Sequence, residues 1–218
     1  MSTSDNARCG TPLADVAECC RILGALFYLA PDRPELAPVL DGLADGALAA
    51  AWPLGAPGAV AAITRRMGAA IEPQALRAEF QRLFVGPDHL AAPPWGSAWL
   101  DQEGLLYGET TTALAEFLDA QGLRVATGQV EPEDHIGLVF WAAAWLADEA
   151  RTQALRTLLD AHLRPWAGRY LQALAQAAAS PFYRGAAELA GLTLEELHVC
   201  CGKCHAAAPA SACAGGAG

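Results

Sequence analysis

The chain has 218 residues, with 14 basic against 24 acidic side chains and a formal net charge of −10. Hydrophobic residues make up 53%, much of it alanine, and charged residues only 17%, so a disordered body is excluded and helices are favoured over strands. The acidic excess argues against non-specific nucleic-acid binding, which needs basic residues to displace counterions, and suits a basic partner such as an Arg-bearing peptide.

Residues 1–10 carry Asp5 and Arg8 and no apolar core, so they read as a flexible N-terminus and not as a secretory signal. Thr11-Pro12 then resembles a helix start, and Leu13, Val16, Cys20, Leu23 and Phe27 step by three and four behind it. From Pro31 to Gly58 the chain is rich in Pro, Gly and Asp, which predicts short helices. Leu76, Phe80, Leu83 and Phe84 form the next apolar stripe, after Glu72-Pro73. A long connection from Val85 to Gly104 follows, of a length that often marks a binding segment. Leu114, Phe117 and Leu118 lie on a helix ending near Gly122. Pro132 is placed at the first position of another helix, with Glu133 and Asp134 in its first turn. That helix carries the longest apolar run, Ile136 to Ala147, which is short of the ~20 residues that cross a bilayer and reads as buried core. Trp141 and Trp145, one turn apart on it, are read as core packing as well. Leu155, Leu158, Leu159 and His162 continue the periodicity, and two last helices are expected over Pro165–Ala179 and from Pro181 to about Val199, with Ser180 as cap. No stretch alternates with period two. The expected architecture is all-α: one multi-helix domain over residues 11–199, followed by a low-complexity Cys/His tail over 200–218.

Three constellations could carry chemistry. Glu131-Pro132-Glu133-Asp134-His135 is either a capped helix start, a cleft-facing anchor for a cationic ligand through Asp134 and His135, or an Asp-His catalytic pair that lacks any motif-placed nucleophile. Pro93-Pro94-Trp95-Gly96-Ser97-Ala98-Trp99 has two prolines to hold an extended backbone and two tryptophans, which either close the core or rim a peptide groove floored by Phe80, Leu83 and Phe84. In the tail, Cys200, Cys201, Cys204 and His205, with His198 and Cys213, could hold Zn²⁺, but the second Cys-x-x-Cys of a zinc motif is missing. Cys201-Gly-Lys-Cys204-His205 also matches the c-type haem attachment string, a chemistry that follows export. No dinucleotide, phosphate-loop, zinc-protease or nucleophile-elbow motif occurs.

Taken in order, Leu83-Phe84-Val85-Gly86-Pro87, Pro93-Pro94-Trp95-Gly96-Ser97, Glu131-Pro132-Glu133-Asp134-His135, His162-Leu163-Arg164-Pro165-Trp166 and Pro181-Phe182-Tyr183-Arg184 resemble the TorD/DmsD family of cytoplasmic chaperones for molybdenum-containing redox enzymes. The resemblance spans about Ala78 to Leu197 and is strongest to the branch that serves dimethyl sulfoxide reductase. It implies an all-helical, non-enzymatic protein without a cofactor. Such a protein binds the twin-arginine leader of a molybdoenzyme catalytic subunit and holds it until the molybdopterin is inserted, with components of the Tat export machinery as further implied partners. The implied peptide-binding residues are Phe80, Leu83, Phe84, Pro94, Trp95, Ser97, Trp99, Asp134 and His135. Phe80 stands where that branch more often has tryptophan, and the Cys/His tail lies outside the family pattern. The implied partners include no nucleic acid, and the protein is not expected to be an integral membrane protein. The competing expectations are a nucleotide-binding or hydrolytic enzyme using Asp134 and His135, and a metal-binding factor working through the tail.

Overall fold

The computed structural model describes residues 11–86, 89–101, 108–124 and 131–205, the last seven of these through their backbone alone. Extended backbone at Pro12 gives way to α1, Leu13–Tyr28, whose apolar stripe is buried as its spacing predicts. The Pro/Gly/Asp-rich stretch forms a 3₁₀ turn, Pro34–Leu36, then α2, Ala37–Ala44, and the short α3, Ala47–Ala51. Proline opens both of the next helices, α4, Pro57–Gly68, and α5, Pro73–Phe80. Glu72 caps α5 by accepting from the backbone N–H groups of Gln74 and Ala75. Helix α5 runs directly into a π-helical segment, Gln81–Val85, closed by Gly86 N donating to Gln81 O at 2.9 Å.

The long connection contains a one-turn helix, α6, Ser97–Leu100. Helix α7, Glu109–Ala120, ends close to Gly122. Helix α8, Ile136–Asp148, starts later than expected: Pro132 is not its first residue, because His135 is the N-cap and 132–134 form a turn before it. Helix α9, Thr152–Thr157, continues through a π segment, Leu158–Leu163, into α10, Arg164–Ala177. The last helix, α11, runs Pro181–His205, beyond the end expected near Val199, so Cys200, Cys201, Cys204 and His205 belong to its final turns. The side chains of those four residues, Cys213 and the N-terminal segment 1–10 lie outside what is described. Among the described residues there is no strand, only one isolated bridge between Trp95 and His135.

Helix α8 is apolar nearly all round and therefore sits in the middle of the bundle. Its closest partner is α1, and the two backbones meet at glycines. A Cβ on Gly137 would stand 2.8 Å from Tyr28 Cβ and 2.9 Å from Gly24 O. Helices α4, α10 and α11 close the other side. Phe27 joins the halves, stacked on Phe140 at 6.0 Å between centroids and edge-on to Tyr170 at 6.3 Å. Tyr170 in turn meets Trp166 at 5.7 Å. Burial on this scale, at about 25 cal/mol per Å² of apolar surface, is what offsets the entropy of ordering the chain. No described helix is long and apolar enough to cross a membrane.

Candidate peptide-binding cleft

The site is assembled by two segments far apart in sequence. Pro93 and Pro94 keep the chain extended, and residues 94–96 pair with 134–136 by main-chain bonds. Ile136 N donates to Pro94 O at 2.8 Å, and Gly96 N donates to Asp134 O at 3.1 Å. Gly96 is required here by contact, since a Cβ would lie 2.9 Å from the Trp166 indole nitrogen. Asp134, only 4% exposed, reinforces the pairing from its side chain. Its Oδ2 accepts from Ser97 N at 2.6 Å and from the Thr111 hydroxyl at 3.0 Å. One carboxylate thus ties the turn before α8 to the starts of α6 and α7.

Trp95 and Trp99 leave this frame in different directions. The Trp99 indole donates to Pro93 O at 2.8 Å, and its ring packs edge-on to Tyr170, so it braces the loop from inside. The Trp95 indole donates to Glu131 Oε1 at 2.6 Å and forms a wall of a cavity of about 770 Å³. Phe80, Phe84 and Leu138 make the apolar floor, and Tyr28 and Trp141 make the opposite wall. Val85, the one large hydrophobic side chain among the described residues that stands well exposed (57%), sits at its edge. Arg33, paired at the surface with Glu35 at 3.0 Å, and Glu131 are the charged groups that line it. Phe80 and Phe84, four residues apart where α5 meets the π segment, share the cavity with rings 5.1 Å apart, while Leu83 turns into the core.

His135 also lines the cavity. Its Nδ1 accepts from Gly137 N at 3.1 Å, which leaves Nε2 as the protonated, donating nitrogen. Tyr28 meets the ring edge-on at 5.1 Å and Trp95 at 6.0 Å. Burial lowers its pKa to about 3, so the imidazole is neutral near pH 7. Burial pushes the Glu131 carboxyl up from its ordinary value; the Trp95 bond opposes this and the nearby Asp134 charge adds to it.

Of the nine residues expected at a peptide site, Phe80, Phe84, Trp95 and His135 line the cavity. Leu83, Pro94, Ser97, Trp99 and Asp134 lie behind it, in the core or in the frame. Asp134 instead borders a second, smaller cavity of about 140 Å³ with Gly96, His162 and Trp166. Asp134 and His135 serve different partners and do not form a relay. Tyr28, Glu131 and Trp141 were not singled out in the sequence as lining a site. Trp141 and Trp145 are half-buried: Trp145 packs against the core as expected and lies under the Arg151 guanidinium at 4.8 Å, whereas Trp141 faces the cavity and its indole donates to Arg21 O at 3.1 Å. Among the described residues no group of His, Cys, Asp and Glu is placed to hold a metal ion.

Comparison with known proteins settles the lineage. A family model described as nitrate reductase delta subunit matches residues 47–172. The chain is 42% identical to the Tat proofreading chaperone DmsD of Salmonella typhi over 184 residues, covering 84% of this chain and 88% of the relative. The chain belongs to the TorD/DmsD family. It is 35% identical over 173 residues to the chaperone protein YcdY of Escherichia coli, covering 78% of this chain and 86% of that one. A crystal structure of a putative redox enzyme maturation protein from Archaeoglobus fulgidus shares the fold, with a TM-score of 0.53 at 20% identity, covering 83% of this chain and 92% of that one. The TorD/DmsD family consists of chaperones, so the protein is a redox-enzyme maturation chaperone and not an enzyme. The hydrolytic reading of Asp134 and His135 is thereby set aside.

Proposed function

We propose that the 770 Å³ cleft binds the twin-arginine leader of a molybdoenzyme catalytic subunit, of the dimethyl sulfoxide reductase type, in the cytoplasm. The chaperone holds the leader until the cofactor is inserted and then releases the precursor to the Tat export components. The observation that carries this reading is the composition of the cleft: an aromatic floor and walls with a half-buried carboxylate at one side, on a chain of net charge −10. A twin-arginine leader presents the complement, two guanidinium groups followed by an apolar segment. The apolar segment would cover Phe80, Phe84 and Val85, where each Å² removed from water contributes about 25 cal/mol before ordering costs are subtracted. The names of the relatives, Tat proofreading chaperones, point the same way. Asp134, Ser97 and Pro94 contribute by holding the Trp95 wall in place.

Isothermal titration of the purified chain with a leader peptide tests the reading. Binding at about 1 μM or tighter, near −8 kcal/mol, is expected. Absence of heat and of any fluorescence change with folded protein would overturn it.

A further inference from the structure

Arginine recognition in this cleft needs an anion that reaches the ligand, and Asp134 does not supply one. It is buried, does not line the cleft, and its Oδ2 is already engaged by Ser97 and Thr111. We infer that Glu131 is the carboxylate that receives a leader guanidinium, against the indole faces of Trp95 and Trp141. This rests on the reading of the cleft as the leader site.

Four observations converge on it. Glu131 lines the cleft together with the aromatic residues Tyr28, Trp95 and Trp141. Its Oε1 is fixed by the Trp95 indole at 2.6 Å, and among the described residues that is its one hydrogen-bond partner. The orientation is therefore set in advance, and Oε2 remains as acceptor. Asp134 adds a second negative charge close behind, felt by Glu131. Finally, no described cation pairs with Glu131: Arg33, on the cleft lining, is paired with Glu35.

The chemistry favours a guanidinium over an ammonium. A guanidinium is planar and weakly hydrated, stacks on aromatic faces and donates from its edge at the same time. A half-buried carboxylate beside indole rings offers both kinds of contact in one place. An ammonium would lose more hydration to reach the same spot. The cleft thus divides its ligand, with charge recognised at the Glu131 end and apolar side chains taken over Phe80 and Phe84.

The test uses the full chain and two probes. Glu131→Gln keeps an oxygen for the Trp95 indole, so the wall should stay in place, as an unchanged melting temperature would verify. With a leader peptide, Glu131→Gln should weaken binding about tenfold or more, as expected for losing a charge-assisted bond. That loss should shrink when one of the two leader arginines is glutamine, which identifies the arginine received. The second probe is methylguanidinium, followed by the indole N–H resonance of Trp95. A saturable shift is expected in the parent chain, lost in Glu131→Gln and weaker with methylammonium. If the leader binds but Glu131→Gln neither weakens it nor couples to either arginine, the inference falls and the leader reading stands. If the leader fails to bind while methylguanidinium still shifts Trp95 through Glu131, the guanidinium site stands without the leader reading. If neither probe responds, both fall.

Discussion

Asp134→Asn is the substitution that best separates a frame from a ligand anchor. The carboxylate accepts two buried hydrogen bonds at Oδ2, from Ser97 N and Thr111 Oγ1. Hydrogen bonds to a charged group contribute about 1.5–3 kcal/mol each, against roughly 0.5–1.5 for neutral pairs. Asparagine can keep one oxygen in place, so the loss is a weakening of two bonds and not their removal. Its new NH₂ group takes the place of Oδ1, which has no donor or acceptor opposite it among the described residues. The two effects together set a cost of about 2–3 kcal/mol. For a chain of this size each kcal/mol lowers Tm by about 2–4 °C, so the midpoint should fall on the order of 5–10 °C. Urea unfolding without any peptide gives the free energy, and scanning calorimetry gives Tm. The loss must appear in the unliganded protein, because the partners are Ser97 and Thr111 and not a ligand. Unchanged or increased stability would refute the reasoning, since it would mean that desolvating the charge costs more than its two bonds return.

Gly137→Ala should cost about 1–3 kcal/mol in urea unfolding, because the added methyl meets Tyr28 Cβ and the Gly24 carbonyl, neither of which can swing aside without parting α1 from α8. His135 makes the fold acid-sensitive. Its pKa is near 6.5 when unfolded and about 3 when folded, so the native state binds fewer protons between these values. Stability is complete above pH 6.5 and falls as pH drops toward 3, by up to roughly 1.4 kcal/mol per pH unit. In His135→Asn, which retains a capping acceptor for Gly137 N, the curve of stability against pH between 6.5 and 4 should be flatter; an unchanged slope would remove His135 as the cause.

Local rules made most of the helices legible. Glu72-Pro73 opens α5 as its residue types dictate, with the carboxylate capping two N–H groups, and the three-and-four spacing from Leu13 to Phe27 marks the buried face of α1. The same rules misplace the start of α8, because Pro132 has the form of a first helical residue. What decides there is not local: Asp134 bonds to Ser97, 37 residues away, and holds 132–134 as a turn. The π segments at Gln81–Val85 and Leu158–Leu163 are silent in the sequence, since an apolar stripe survives one extra residue per turn. Of the cleft, Trp95, Phe80 and Phe84 could be read from composition and spacing. Trp141 could not, because nothing in an apolar helix distinguishes a tryptophan facing a cavity from one facing the core. Glu131 stood at the head of the Glu-Pro-Glu-Asp-His string, and its distinguishing partner is an indole 36 residues earlier.

The pairing of 94–96 with 134–136 is made by backbone groups, and this has a bearing on how recognition can diverge. The backbone of residue 95 is positioned by bonds at its neighbours, Pro94 O and Gly96 N, and its side chain adds only the bond to Glu131. Exchanging the indole for another shape would recut one wall of the cleft while the loop stayed where it is. Gly96 and Asp134 do not share that liberty, one crowded by Trp166 and the other spanning three elements. The wall residue can therefore vary while the fixed points of the scaffold, immediately beside it, stay in place.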